Sequence, residues 1–593
     1  MSYDKWTSLP HMFFDKSQSG NQKPFLWEKT TGVYEYLSWS DVAHAVESLA
    51  NGLRAAGINR GDRIMLISEN RPEWVIADLA IMSAGAITVP AYTTNQIKDH
   101  KHILHDSYAK AAFISTQELA KQFLPAAKTS DSLEFLVTME GINIGDFNKL
   151  TLTWQGIQDL GKKTENKTKD LLKDLTKNDL ACIIYTSGTG GSPKGVMLSH
   201  GSIMANCMGA KNVLDQLGVE NEIFLSFLPL SHAYEHTAGL YFPISISAEI
   251  YFAEGIEKLA TNLKEARPTL MISVPRLYDV MRNRILQAMA KQGPVKRILL
   301  HASLKLGTIN YETPERLNLF DKIFNKLLDI LVRKKIKERF GGRLKAMISG
   351  GAPLNIEVGN FFTALGVRLL QGYGQTEAAP VISCNRPNNL DLSTVGAALE
   401  GVSVKISSDG EILVAGDLVM KGYWNDEKLT SQTIRNGWLH TGDIGQLDNQ
   451  NRIKITDRKK DIIVLSGGDN ISPQRVEGVL TLQSEIAQAM IYGDKKPHLV
   501  ALIVPDQDFV NRWKELHKNN AQEDELNKNK QFLKAMSSVV DNANLQLSGI
   551  ERIKRFIITF NEFSVENELM TPTLKVRRHK INEIYEHSLN NLY

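Results

Sequence analysis

Between residues 40 and 115 the chain alternates amphipathic stretches with short apolar runs. An amphipathic segment over 41–56 ends at Gly57. Residues 63–68, 86–90 and 111–115 then read as strands, and 72–84 and 96–106 as helices. Strand–helix alternation of this kind predicts a layered α/β domain. A second block, 180–380, repeats the style, with buried strands expected at 181–185, 222–227, 269–274 and 344–348.

The pattern changes over 395–456. Val402, Val404 and Ile406 alternate with polar residues, Asp409-Gly410 is a hairpin signal, and an apolar run over 412–415 follows. An antiparallel β segment closing the large domain is expected there. The charged run DRKKD (457–461) separates it from the rest. The expected organisation is therefore an α/β protein with a large domain, 1–457, of layered α/β subdomains plus this β-rich segment. A small, mobile α+β domain occupies 458–593. Within it, residues 514–534 are rich in Lys, Asn, Glu and Gln and read as a solvated helical insertion.

Composition excludes several function classes. The 593 residues carry 69 basic and 66 acidic side chains, a net charge of +3, which offers no electrostatic footprint for nucleic acid. Cys182, Cys207 and Cys384 lie far apart, so neither a zinc site nor a disulfide framework is expected, as befits a reducing cytoplasm. The N-terminal residues do not form a secretory signal, and no apolar run approaches the roughly 20 residues that cross a bilayer. Any membrane contact is expected to be peripheral, from the inner face.

The segment YTSGTGGSPKG (185–195) directly follows an apolar strand. Its glycines allow backbone N–H groups to face a polyphosphate, and Lys194 supplies a point charge. The Gly-Lys-Ser/Thr ending of a Walker A loop is absent. Further along stand SGGAPL (349–354), QGYGQTE (371–377), WLHTGD (438–443), DRKKD (457–461) and TPTLK (571–575). In this order and spacing the six motifs resemble those of the adenylate-forming superfamily, which includes acyl-CoA synthetases, peptide-synthetase adenylation domains and firefly luciferase. The resemblance spans nearly the whole chain.

It implies a carboxylate activated with ATP and then passed to CoA, with Mg²⁺ as cofactor. Joining two anions in line demands charge neutralisation and fixed positions. The implied ATP and AMP site comprises Thr186, Ser187, Gly188, Thr189 and Lys194 of the loop, Gly351, and Gln371, Gly372, Tyr373, Gly374 and Thr376. Asp443 would accept hydrogen bonds from both ribose hydroxyls with Arg458 beside it, and Tyr373 would offer its ring to adenine. Glu377 and Thr186 would ligate Mg²⁺, since oxygen donors suit this hard cation. Lys575 would serve catalysis of adenylation together with Glu377 and Thr186, and Lys460 would be the hinge. SGGDNI (466–471), with Gly467 and Gly468, resembles the loop of CoA-using members.

Within the superfamily, LPLSH (228–232), Glu235-His236, RPT (267–269), VPRLY (274–278), the segment 296–340 and the long C-terminal domain resemble long-chain fatty acyl-CoA synthetases. The acyl channel is expected at His232, His236 and Gly239. Two departures stand out. Gly190 replaces the usual second Thr of the phosphate loop, and His236 aligns where some long-chain enzymes carry a gating Trp. The expected partners are a fatty acid, ATP and CoA, and a homodimer is compatible with the chain. Alternatives are a ligase that loads a carrier protein or activates another acid, and an inactive nucleotide- or acyl-binding module.

Two further patterns have a plainer expectation. His102, His105 and Asp106 mimic metal-ligand spacing but are expected on a solvated helix face. Phe320, Ile323, Phe324, Leu327, Leu328 and Leu331 form a helical stripe ahead of a basic run, expected to pack on the α/β core; the alternative is an anionic membrane surface.

Overall fold

The computed structural model describes the chain except residues 1–2, 167, 187–192, 460, 520, 566 and 572–575. The fold is mixed α/β, and the alternation over 40–115 is realised closely. The strands are Arg63–Ile67, Ile87–Ala91 and Ala111–Ile114, and the intervening helices are Pro72–Ser83 and Ile97–Ser107. They pair in parallel within an eight-stranded sheet. In that sheet Leu180–Thr186 lies beside Ile87–Ala91, followed by the antiparallel strand Lys194–Ser199 and the short strand Gly422–Tyr423. Helix Pro72–Ser83 is buried all round, which explains why its sequence is apolar on every face.

A nine-stranded sheet holds the other expected strands. Ile223–Ser226, Leu270–Ser273, Ala346–Ser349 and Leu369–Gly374 run parallel through its centre. One continuous core cluster packs residues of both sheets, including Trp39, Trp74, Tyr241 and Phe242. The β-rich segment is present as expected: Ser403–Ile406 pairs antiparallel with Glu411–Ala415, and Gly410 turns the chain at φ +83°. Trp438–Leu447 extends this sheet and pairs with Ile453–Arg458. Ile453 is the last member of the main core, whereas Ile463 begins a separate core around the strands Ile486–Tyr492, Leu499–Pro505 and Ile553–Ile558.

Two expectations are corrected. The segment 514–534 is not purely solvated, because Leu526 and Phe532 are fully buried in the small domain's core. The stripe beginning at Phe320 does not pack on the α/β core. In helix Leu319–Leu328 only Leu328 is buried, and it joins Leu306 and Leu317 in a small cluster of its own. Helix Pro294–Glu312 takes the place beside the body of the protein, packing on Ile356–Ala364 so closely that a Cβ at Gly307 would lie 2.4 Å from the Ala364 carbonyl oxygen. The following helix is thereby held outside.

Candidate active site

The strands Leu180–Thr186 and Lys194–Ser199 bring Thr186 opposite Lys194 and Tyr185 opposite Gly195. The tip, with Ser187, Gly188, Thr189 and Gly190, lies outside the described residues. Its base is braced by helix Ile97–Ser107. Tyr185 donates its hydroxyl to Asp106 Oδ2 at 2.5 Å, and His102 Nε2 donates to the Pro193 carbonyl at 2.7 Å. Trp424 Nε1 and Asn425 Nδ2 each donate to the Asp106 carbonyl at 3.0 Å. His102 and Asp106 are thus anchors for the hairpin and not a solvated face; the reason is that the sheet carries the hairpin against this helix. Among the described residues no group of three or more His, Cys, Asp or Glu gathers as a metal cage.

Glu377 lies in the short turn Thr376–Ala378 after strand Leu369–Gly374. Tyr423 donates its hydroxyl to Glu377 Oε1 at 2.8 Å, and the Lys194 ammonium lies over the Tyr423 ring at 5.7 Å. Burial, and then the neighbouring Glu377 charge, raise the Tyr423 pKa, so it stays a neutral donor. Residues far apart in sequence, Lys194, Glu377 and Tyr423, therefore meet at one place. Tyr423 was not legible in the sequence: its two-residue strand joins the edge of a sheet more than 200 positions earlier in the chain.

The second constellation surrounds Asp443, which is buried on strand Trp438–Leu447. Tyr373 donates its hydroxyl to Asp443 Oδ2 at 2.7 Å, and Arg458 Nε donates to Oδ1 at 3.0 Å. Antiparallel register places Arg458 directly opposite Asp443. Burial opposes the Arg458 charge, but Asp443, Asp461 and Tyr373 together offset it, and the net shift is upward. Tyr373 is raised by burial and by Asp443. Gln371, two residues before Tyr373, is buried, and its Oε1 has no hydrogen-bond partner among the described residues. Glycine is obligatory at 374, where a Cβ would lie 1.9 Å from the Pro380 carbonyl oxygen. At Gly372 a Cβ would come 3.2 Å from the Ser383 carbonyl oxygen. Gly351 sits at φ +81°, in the loop after Ala346–Ser349, and Thr376 begins the turn that carries Glu377.

His232, His236 and Gly239 lie on one stretch around a π-helical segment, Glu235–Tyr241. His232 accepts the Tyr234 N–H on Nδ1 at 3.2 Å. His236 is fully buried, with Nε2 2.9 Å from Asp78 Oδ2 and its ring edge-on to Trp74 and Tyr241. In this arrangement it is a packed member of a buried polar cluster. Gly239 leaves space that the Glu235 carboxyl occupies, since a Cβ there would come 2.4 Å from Glu235 Cδ. Burial pushes the Glu235 carboxyl up to about 8, although Ser226 donates to Oε1 at 2.6 Å.

In the small domain, Lys575 and Lys460 lie outside the described residues. Residues that flank Lys575 in sequence are described. Met570 pairs with Val576 across the segment 572–575. Met570 and Arg577 line one cleft with Tyr185 and Pro193 of the phosphate-loop hairpin. A Lys98–Glu568 ion pair crosses the same cleft. Gly467 and Gly468 form an exposed turn between Ile463–Val464 and Asn470–Ile471, with Gly468 at φ +88°. Arg578 is clasped by Glu477, with Nη1 to Oε1 at 2.6 Å and Nη2 to Oε2 at 2.5 Å.

Comparison with known proteins relates both parts of the chain to one enzyme family. Residues 13–424 match the profile described as AMP-binding enzyme, and 460–593 match the AMP-binding enzyme C-terminal domain. The long-chain-fatty-acid–CoA ligase FadD15 of Mycobacterium bovis is 31% identical over 95% of this chain and 93% of its own. The peroxisomal long chain acyl-CoA synthetase 6 of Arabidopsis thaliana is 31% identical over 100% of this chain and 86% of its own. Among solved structures, the adenylation domain of a carboxylic acid reductase from Segniliparus rugosus, in complex with AMP and a co-purified carboxylic acid, superimposes with a TM-score of 0.77. It shares 19% identity and covers 99% of this chain and 94% of that one, a likeness of fold.

Proposed function

The chain belongs to the AMP-binding enzyme family, and from that premise we propose that it is an AMP-forming long-chain fatty acid–CoA ligase. The observation that carries the reading is full-length similarity to long-chain acyl-CoA ligases from bacteria, plants and animals. In the first half-reaction a fatty acid carboxylate oxygen attacks the α-phosphorus of ATP, the bond to the β-phosphate bridging oxygen breaks, and pyrophosphate leaves. In the second, the CoA thiol gives up its proton and attacks the acyl carbonyl, and AMP departs.

The roles of Asp443, Tyr373 and Glu377 have a physical support. Asp443, held by Tyr373 and Arg458, presents a fixed carboxylate for the ribose hydroxyls. Tyr373 and the Gly351 loop border the place for adenine, with Gln371, Gly372, Gly374 and Thr376 shaping that strand and turn. Thr186, Ser187, Gly188, Thr189 and Lys194 receive the phosphates, Lys194 facing the leaving pyrophosphate. Glu377 and Thr186 offer oxygen donors only, which fits Mg²⁺ taking its remaining ligands from phosphate and water. When bound, the ion would supply positive charge to neutralise the phosphates. Lys575 donates to the acid and the α-phosphate during adenylation, a role supported by Met570 and Arg577 lining a cleft with Tyr185 and Pro193.

The boundary at 457/458 is supported by the separation of the two cores. The small domain rotates about Lys460 so that Lys575 withdraws and the Gly467-Gly468 turn faces CoA. The acyl chain runs past His232 and Gly239 toward the buried wall at His236. Pyrophosphate release and thioester formation from palmitate, measured with and without CoA, test the reading. Release with thioester only when CoA is added is the expected outcome. Release without any thioester makes the protein an adenylate-forming or carrier-loading ligase, and no release makes it an inactive binding module.

A further inference from the structure

The outer helix of the 294–333 hairpin carries an apolar face that nothing covers among the described residues. Phe320 is 83% exposed, Leu319 72%, Ile330 64% and Ile323 61%. Phe324 and Leu327 are exposed beside them. At about 100° per residue, positions 319, 320, 323, 324 and 327 occupy one arc of about 140°. Leu328 lies about 40° beyond the edge of that arc and is fully buried. Lys322 and Lys326 stand at one border of the arc, and exposed Lys334 and Lys335 follow at its end.

This face is presented by a rigid support. Arg333, itself buried, donates to the carbonyls of Ala364, Ser303 and Asn325, to Asn325 Oδ1 and to Asp329. These bonds tie the outer helix to the inner one and to helix Ile356–Ala364, so the apolar arc is held outward.

We propose that this hairpin face docks the enzyme on an anionic lipid bilayer, the helix lying in the interface plane. An exposed apolar arc bordered by lysines is the pattern of an interfacial helix, with side chains entering the acyl boundary and ammonium groups meeting lipid phosphates. The charge favours this occupant over a second copy of the chain, because a face-to-face pair would set these lysines against their own equivalents. Among the described residues no helix is long and apolar enough to cross a membrane, so contact is at the surface. The choice of occupant rests also on the long-chain fatty acid reading, since such an acid partitions into bilayers at about 0.8 kcal/mol per CH₂.

The test is co-sedimentation of the full chain, without ATP, with vesicles of phosphatidylcholine mixed with phosphatidylglycerol and with pure phosphatidylcholine. Binding to the anionic vesicles that weakens with salt is expected. Phe320→Ser/Ile323→Ser should lose at least about tenfold in partitioning, and Lys322→Gln/Lys326→Gln should lose the preference for anionic lipid. Both variants should keep wild-type activity on detergent-dispersed palmitate, which separates docking from catalysis and from folding. Equal partitioning of wild type and Phe320→Ser/Ile323→Ser overturns the proposal. So does a wild type that ignores the vesicles, and so does a dimer by light scattering that the same double variant dissociates. Failure of thioester formation by the wild type would instead strike the ligase reading and leave vesicle binding as measured.

Discussion

Tyr423 donates its hydroxyl to Glu377 Oε1 at 2.8 Å, and its ring lies beneath the Lys194 ammonium at 5.7 Å. A neutral phenol therefore sits between the carboxylate proposed for the metal and the cation proposed for pyrophosphate. It orients the first by a hydrogen bond and the second through its ring quadrupole.

Tyr423→Phe removes the hydrogen bond and keeps the ring. Bonds to charged groups contribute about 1.5–3 kcal/mol, so adenylation should fall roughly 10–100-fold, with a higher Mg²⁺ concentration for half-saturation. Glu377→Ala should abolish adenylation. A magnesium titration of pyrophosphate release checks both, and wild-type rates in Glu377→Ala would remove the metal assignment.

Asp443→Ala leaves the Tyr373 hydroxyl and Arg458 without their common acceptor. AMP affinity should drop by about 2–4 kcal/mol, from the lost ribose contacts and the stranded partners. Titration calorimetry with AMP measures it; an unchanged dissociation constant places the ribose elsewhere.

Lys575 and Lys460 should separate the two half-reactions. Lys575→Ala is expected to lose acyl-AMP formation yet convert supplied acyl-AMP and CoA to thioester. Lys460→Pro fixes φ at a hinge and should do the reverse. Equal loss of both steps in folded Lys575→Ala, or a normal rate of acyl-CoA formation by Lys460→Pro, contradicts the corresponding role.

Glu235 should imprint a pH dependence on stability. Its folded carboxyl titrates near 8 because of burial, against 4.5 when unfolded. Between these values the folded state keeps a proton that the unfolded state releases, so stability is full below about pH 4.5 and declines as pH rises through 8. The loss from this one group between pH 5 and 8 should be roughly 3–5 kcal/mol. Glu235→Gln should flatten that portion, read by urea unfolding at both pH values; identical slopes in the two proteins would refute the buried proton.

Gly374→Ala should destabilise the protein severely, because the opposing atom is the Pro380 backbone carbonyl oxygen at 1.9 Å and cannot rotate aside. Urea unfolding that leaves the midpoint unchanged would show that the 371–384 hairpin can open there.

The amino-acid sequence by itself determined the α/β class, most strand positions and the motif residues. Those depend on signals within a few positions: the period of apolar residues, the glycines of a turn, a hydroxyl beside a lysine. Residues 63–114 could be assigned because each strand and helix there carries its own period. Only the tertiary structure decided that Tyr423 would meet Glu377, that His102 and Asp106 would brace the phosphate-loop hairpin, and that His236 would be locked against Asp78. Each of these is a contact across sheets or between a helix and a sheet edge, and local periodicity holds no record of such partners. The outer helix shows the limit most directly. Its amphipathic stripe was plain, but whether a stripe faces a core or a membrane depends on which surface is already taken. Here Pro294–Glu312 packs on Ile356–Ala364, and Phe320 is left outside.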